Sequence, residues 1–148
     1  MILFDTNHVS FLRMPPSERR TRLVERVDRA HDELFGIPIV AVEETMRRWL
    51  AAIAKERVTQ RQVSAYRELG SLFQFFASFP IAPFDAMAAA RFDSLRAAKI
   101  RIATRDLKIA SIALANNALL LTANRQDFEK VPGLRFENWL DSSERGRG

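Results

Sequence analysis

Residues 104–128 read TRDLKIASIALANNALLLTANRQDF, and they decide the fold. Thr104 reads as a helix cap, and the pattern stays helical to about Ala115. Leu107, Ile109, Ala110, Ile112, Ala113 and Leu114 leave that helix almost no polar face. A helix that is apolar nearly all round belongs in the interior. After Asn116 and Asn117, residues 119–122 (LLLT) make a short apolar run of strand type. Asn124 and Asp127 then flank one helical turn, spaced as a cap and its partner three residues on. Residues 134–136 supply a last small strand.

Working back towards residue 1, the same alternation recurs. Residues 1–4 (MILF) form an apolar run that stops at Asp5 and reads as a buried strand. Asn7 reads as the cap of a short helix through Leu12. Pro15, Pro16 and Ser17 open a longer helix, since proline suits a first turn. Its apolar positions are Leu23, Val27, Ala30 and Leu34, with Arg22, Arg26 and Arg29 opposite, and Gly36 and Pro38 end it. Residues 37–42 (IPIVAV) read as the second strand. A helix over about 43–55 follows, with Met46, Trp49, Leu50 and Ile53 on one face. Thr59 begins another, with Val63, Tyr66, Leu69, Phe73 and Phe76 at helical spacing; Phe75 falls off that face and is expected at the surface. Residues 79–82, around Pro80, suit an edge strand. Asp85 caps a helix whose core face is Ala88, Phe92 and Leu95. Apolar strands alternating with helices imply an α/β fold with a short, mainly parallel central sheet covered on both sides. One domain over 1–140 is expected, followed by a polar, flexible tail over 141–148.

Composition narrows the chemistry. The 148 residues suit a single domain, and the 47% hydrophobic fraction suffices for a core. No cysteine is present, which excludes disulfides, thiolate zinc sites and cysteine nucleophiles. His8 and His31 are the sole histidines, too few for a histidine-rich metal site. No apolar run is long enough to span a bilayer, and Asp5 interrupts what would be a signal peptide. A cytoplasmic location, away from membranes, is the resulting expectation. Formal net charge is +5, nearly all of it arginine. Guanidinium groups fork onto phosphates and stack on bases, so the charge leans towards a nucleic-acid partner. Arginine-rich coding composition accounts for it equally well.

In open parallel sheets, ligands bind beyond the carboxyl ends of the strands. Asp5 follows the first strand, Glu43 and Glu44 the second, and Thr122, Asn124 and Asp127 the strand over 119–121. Asp106 opens the buried helix. Carboxylates gathered there resist ionising together, and a hard divalent cation with a preference for oxygen ligands relieves them. Mg²⁺ or Mn²⁺ also acidifies water and orients a phosphodiester. Singly, Glu43, Glu44 and Asp106 are each explained by first-turn placement, where acids suit the helix dipole. Thr6 and Asn7 can be turn and cap residues, and the Asn124–Asp127 pair a cap. Asp5 is harder to dismiss, because a carboxylate ending a buried strand is costly without a partner. No glycine-rich loop follows Asp5, so Rossmann and P-loop chemistry are unsupported.

Asp5-Thr6-Asn7 after an apolar strand resembles the opening of PIN-domain ribonucleases. Residues 102–128 resemble their second half, in particular that of VapC-type toxins from bacterial toxin–antitoxin pairs. So do Phe84-Asp85 leading to Leu95-Arg96, and Val131-Pro132-Gly133-Leu134 with Trp139. The resemblance covers about residues 1–140 and implies a three-layer α/β/α sandwich. It places the family's acidic metal ligands on Asp5 and Asp106. The middle glutamate falls on Glu44, within Glu44-Thr45-Met46-Arg47-Arg48, where the family's Glu-Leu-x-x-Gly is altered. The fourth polar position falls on Asn124, which brings no negative charge, with Asp127 as the next candidate. Implied are a Mg²⁺- or Mn²⁺-dependent endoribonuclease acting on tRNA or ribosomal RNA, homodimers, and inhibition by a cognate antitoxin. Thr6, Asn7, Thr122, Asp127, Arg101 and Arg105 are expected to contact substrate or support the ligands, and Arg125 also lies near. Two alternatives stand beside this reading: an RNA-processing PIN nuclease without antitoxin, and an inactive RNA- or protein-binding module.

Overall fold

A computed structural model describes residues 1–141. Among them, five strands alternate with seven helices. The order is β1 (Ile2–Phe4), α1 (Thr6–Arg13), α2 (Glu18–Arg29), β2 (Phe35–Pro38), α3 (Ile39–Lys55), α4 (Thr59–Ala77), β3 (Ile81–Ala82), α5 (Ala86–Ala97), α6 (Thr104–Ala115), β4 (Leu119–Leu121), α7 (Arg125–Phe128) and β5 (Arg135–Glu137). The strands lie in the order β3-β2-β1-β4-β5, and every neighbouring pair is parallel.

Successive side chains of a strand point to opposite faces, and here both faces are covered. Ile2, Phe4, Ile37 and Leu121 join one apolar cluster with Val9 of α1, Leu23 of α2, Ala41 of α3 and Leu72 of α4. Leu3 and Leu120 join the other, with Ala88 and Leu95 of α5 and Leu107, Ile109, Ala110, Ile112 and Ala113 of α6. The result is the expected three-layer α/β/α sandwich. The α6 helix is buried as its composition requires; even its one interior hydroxyl, on Ser111, is spent on the Leu107 carbonyl at 2.6 Å. Gly36 is needed where β2 passes between its neighbours: an added Cβ would meet the Pro80 carbonyl oxygen at 3.1 Å and Leu3 at 3.3 Å.

Several local expectations are corrected. The second strand is Phe35–Pro38, and residues 39–42 already belong to α3. A β-branched apolar run fits either state; Pro38 ends the strand because it brings no ladder donor beyond that point. Leu34 lies past the end of α2 and is exposed, and Leu50 is exposed on α3. On α4 the buried face is Ala65, Leu72 and Phe76, while Val63, Tyr66 and Phe73 face outward. Phe75 is instead half-buried against Phe76 and Phe79. Asp5, not Asn7, caps α1, and Ala103 precedes α6 without any side-chain cap, so Thr104 is the first helical residue. The last strand begins one residue later than expected. Residues 142–148 of the expected flexible tail lie outside the described residues.

Candidate active site

Strand order reverses between β1 and β4. From β1 the chain builds outward through β2 to β3, then crosses back to lay β4 and β5 on the other side. That reversal opens a crevice at the carboxyl ends of the two central strands. Asp5 sits in it, one residue beyond β1, its N–H donating to the Leu121 carbonyl at 2.9 Å. Thr122 sits one residue beyond β4, and its hydroxyl donates to Asp5 Oδ2 at 2.7 Å. The other oxygen, Oδ1, accepts from the Thr6 N–H at 2.7 Å as the cap of α1. Thr122 Oγ1 in turn accepts from the Asn124 N–H at 3.0 Å.

Two more elements bring acids to the same place. Asp106 is the third residue of α6, and Glu44 is the sixth of α3. Because α3 starts at Ile39, Glu44 lies in the second turn rather than the first, so helix-dipole complementation no longer explains it. Glu44 lines a cleft of about 350 Å³ together with Asp5, Thr6, Asn7, Arg105, Asp106 and Asn124. Glu43 points elsewhere and pairs with Arg47 at 2.7 Å. Glu44 accepts from the Thr6 hydroxyl at 2.5 Å and pairs with Arg105 Nε at 3.1 Å. The Asn124 side chain makes no cap bond to α7; its amide donates to Asp106 at 3.4 Å and to Asp127 at 3.0 Å.

The electrostatics follow from burial. Asp5 is 5% exposed, and that desolvation raises its pKa from 3.8 to about 6 against the lowering bonds from Thr122 and Thr6. Asp106 and Glu44 add to the rise through their charge. Asp106 is raised as well, first by burial and then by Glu44 and Asp127, while Arg105 opposes. Each acid is thus within electrostatic reach of the others. Among the described residues, however, no three Asp, Glu or His side chains stand close enough together to enclose a metal ion. Glu44 pairs with Arg105 and Asp106 accepts from Asn124.

The model of the PIN domain matches residues 2–134. The chain belongs to the PIN-domain family. Ribonuclease VapC2 of Rickettsia felis is 50% identical to it over 38 residues, which cover 26% of this chain and 28% of that protein. The tRNA(fMet)-specific endonuclease VapC of Salmonella typhimurium is 27% identical over 84 residues, covering 54% of this chain and 64% of that protein. The chain therefore spans less than two thirds of the length of either relative. Among solved structures, VapBC2 from Rickettsia felis bound to a DNA fragment from their promoter has the same fold, with a TM-score of 0.67 at 24% identity, over 94% of this chain and 99% of that one.

In this PIN domain the remaining expected residues divide. Thr6, Asn7 and Arg105 line the cleft, and Thr122 supports Asp5 from behind. Arg101 does not reach the cleft, and Asp127 faces both ways, touching Asn124 and lining a neighbouring hollow with Arg101. Arg125 lies on α7, with Glu129 at 3.8 Å. Sequence reading missed Ser10, Phe11, Met14 and Arg48 on the cleft wall. Helical spacing holds the signal for two of them, since Ser10 lies one turn after Thr6 and Arg48 one turn after Glu44. It also missed the role of His8, which is fully buried. His8 Nε2 accepts from the Trp139 N–H at 3.2 Å, which leaves Nδ1 to donate to Asn7 Oδ1 at 2.8 Å. Burial pushes the His8 pKa down to about 3, so the ring is a neutral bridge between the cleft and the C-terminal segment.

Proposed function

We propose that this PIN domain is a divalent-metal-dependent endoribonuclease and the toxin of a toxin–antitoxin pair, acting on tRNA or ribosomal RNA. The observation that carries the reading is the convergence of Asp5, Glu44 and Asp106 on one cleft at the sheet's reversal point. The ribonuclease and endonuclease activities named for the two VapC relatives support it. Rickettsia felis VapBC2 supports a second protein as partner. So do the exposed Val63, Tyr66 and Phe73 on α4, an apolar face for either an antitoxin or a second copy in a homodimer. Among the described residues no helix is long and apolar enough to cross a membrane, which suits a protein working in the cytoplasm.

The donor set fits Mg²⁺ or Mn²⁺. It consists of carboxylate oxygens, the hard ligands such ions prefer. Asp5 and Asp106 also carry an ionisation penalty that a cation removes. Asp5, Asp106 and Glu44 would hold the ion. When bound, it lowers the pKa of water and offsets charge on the leaving oxygen. The chain supplies the rest. Thr122 and the Thr6 N–H hold the Asp5 carboxylate in one orientation. Asn124 does the same for Asp106. Arg105 and Arg48 stand on the cleft wall where they can pair with phosphates on either side of the cut.

The test is cleavage of total RNA by the purified protein with and without Mn²⁺, with the new ends mapped. Asp5→Asn and Asp106→Asn should each abolish cleavage while keeping the fold. Either variant cutting at the parental rate would refute the assignment.

A further inference from the structure

A second hollow of about 650 Å³ lies beside the cleft, between the end of α5 and the start of α6. The two are joined through one residue. Asp127 lines the hollow and is bonded by Asn124, whose amide also reaches Asp106 in the cleft. The volume is within the range of small-ligand sites. One wall is the Phe92 ring, held edge-on by Phe84 at 6.2 Å, with the Arg96 guanidinium 5.6 Å from its centre. Arg101 also lines the hollow. Among the described residues neither arginine has a carboxylate partner, and Asp127 is already engaged by Lys130 at 3.8 Å.

The chemistry of that set is selective. Two uncompensated guanidinium groups beside one occupied carboxylate favour an anion. A braced aromatic ring with a guanidinium over it is a stacking surface for a planar base. An acidic peptide would satisfy the arginines but make no use of the ring. A nucleotide uses both, with its base and its phosphate.

We propose that this hollow is a nucleotide subsite. It holds one RNA residue flanking the bond to be cut, with the base on the Phe92–Arg96 pair and the phosphate on Arg101. The assignment rests on the ribonuclease reading and extends it: substrate leaves the acidic cleft past Asp127, and the subsite selects for single-stranded RNA.

The experiment uses the full chain carrying Asp106→Asn, so that RNA is bound without being cut. A fluorescein-labelled single-stranded RNA of about ten nucleotides is titrated by anisotropy at several salt concentrations. Arg101→Ala, at an exposed position, should weaken binding about 5- to 10-fold and lower the slope of log K against log salt by about 0.7, one phosphate contact on a single strand. Phe92→Leu, an apolar replacement that keeps the wall filled, should weaken binding by a similar factor of at least ~5, the lower end of what losing a stacked base costs. It should leave the salt slope unchanged. Affinity unaltered in both variants would overturn the subsite while leaving the ribonuclease reading intact. So would a loss of self-association or of partner binding with RNA affinity unchanged. If the parental chain neither binds nor cuts RNA, the ribonuclease reading falls and the subsite with it.

Discussion

Replacing Asp5 by asparagine should make this protein more stable. The carboxylate is 5% exposed, and burial raises its pKa from 3.8 to about 6. The sign follows from proton binding. Between those two values the folded chain holds a proton that the unfolded chain has released, so stability is greatest below the unfolded pKa and is lost as pH rises through the folded one. Above about pH 6 the loss is complete, and two units at ~1.4 kcal/mol each make it about 3 kcal/mol. Asparagine has the same shape without the charge. Its Oδ1 can still accept from the Thr6 N–H. Its Nδ2 must donate to Thr122 Oγ1, which now donates to Asp5, so the threonine hydroxyl loses its acceptor at a cost of about 1 kcal/mol or more. A net gain of about 1–2 kcal/mol near neutral pH remains, which for a chain of this size raises Tm by about 3–6 °C. Thermal melts followed by circular dichroism in EDTA provide the assay, at about pH 7 and again near pH 4.5, where the parental Asp5 is mostly protonated and the gap should shrink towards zero. Adding Mn²⁺ near neutral pH should raise the parental Tm and leave the Asp5→Asn protein unmoved. A variant that melts below the parent in EDTA at neutral pH would refute the reasoning, as would a gap of equal size at both pH values.

Four further outcomes are expected. Asn124→Ala should lower Mn²⁺ affinity by about 10- to 100-fold, the usual cost of removing a residue that orients a ligand, with cleavage recovering at saturating Mn²⁺ in a metal titration. Arg105→Ala removes the cation now paired with Glu44, so calorimetry should find tighter Mn²⁺ binding alongside weaker RNA binding. Because the His8 pKa is pushed down to about 3, the unfolded chain protonates His8 first as pH drops below its ordinary value, and the native state loses up to ~1.4 kcal/mol per pH unit. In urea titrations between about pH 6 and 4, stability should therefore fall more steeply for the parent than for His8→Gln, whose amide oxygen can still accept from Trp139. Ile112→Ala on the fully buried face of α6 should cost about 2–5 kcal/mol by the same measurement.

The fold was legible where burial left a residue no choice. The apolar stretch over 104–121 has no polar face to argue with, so helix and strand emerge from it within a residue of their observed limits. Legibility failed where two faces compete. On α4 the expected face of Val63, Tyr66, Leu69, Phe73 and Phe76 competes with one through Ala65 and Leu72; of the expected five, Phe76 is buried and Leu69 partly buried, while Val63, Tyr66 and Phe73 are exposed. Aromatic bulk draws the eye to the first, yet the helix packs its alanine side inward and leaves Phe73 63% exposed. The residues at 39–42 failed for a different reason. An apolar run of β-branched side chains carries no periodicity, and its helical state is set by the end of β2 at Pro38, a property of the sheet rather than of the run.

The same shift governs how the site could be read. Starting α3 four residues earlier moves Glu44 from a dipole-complementing first turn to the second turn, where its side chain can meet Thr6 and Arg105. Asp5 needed no such help, since a carboxylate at the end of a buried strand has few innocent explanations. The acids are nevertheless served unequally. Glu44 has a full positive charge beside it, whereas Asp5 is held by two neutral donors and Asp106 by the Asn124 amide, with Arg105 acting on it at longer range. Neutral donors orient a carboxylate without cancelling its charge, and burial, with the neighbouring acids adding to it, raises the pKa of both aspartates. The cleft therefore lacks positive charge most acutely between β1 and α6. Arg105 cannot supply it without leaving Glu44, and an asparagine at 124 adds no negative charge to the deficit. One divalent cation would be enough to balance that arrangement.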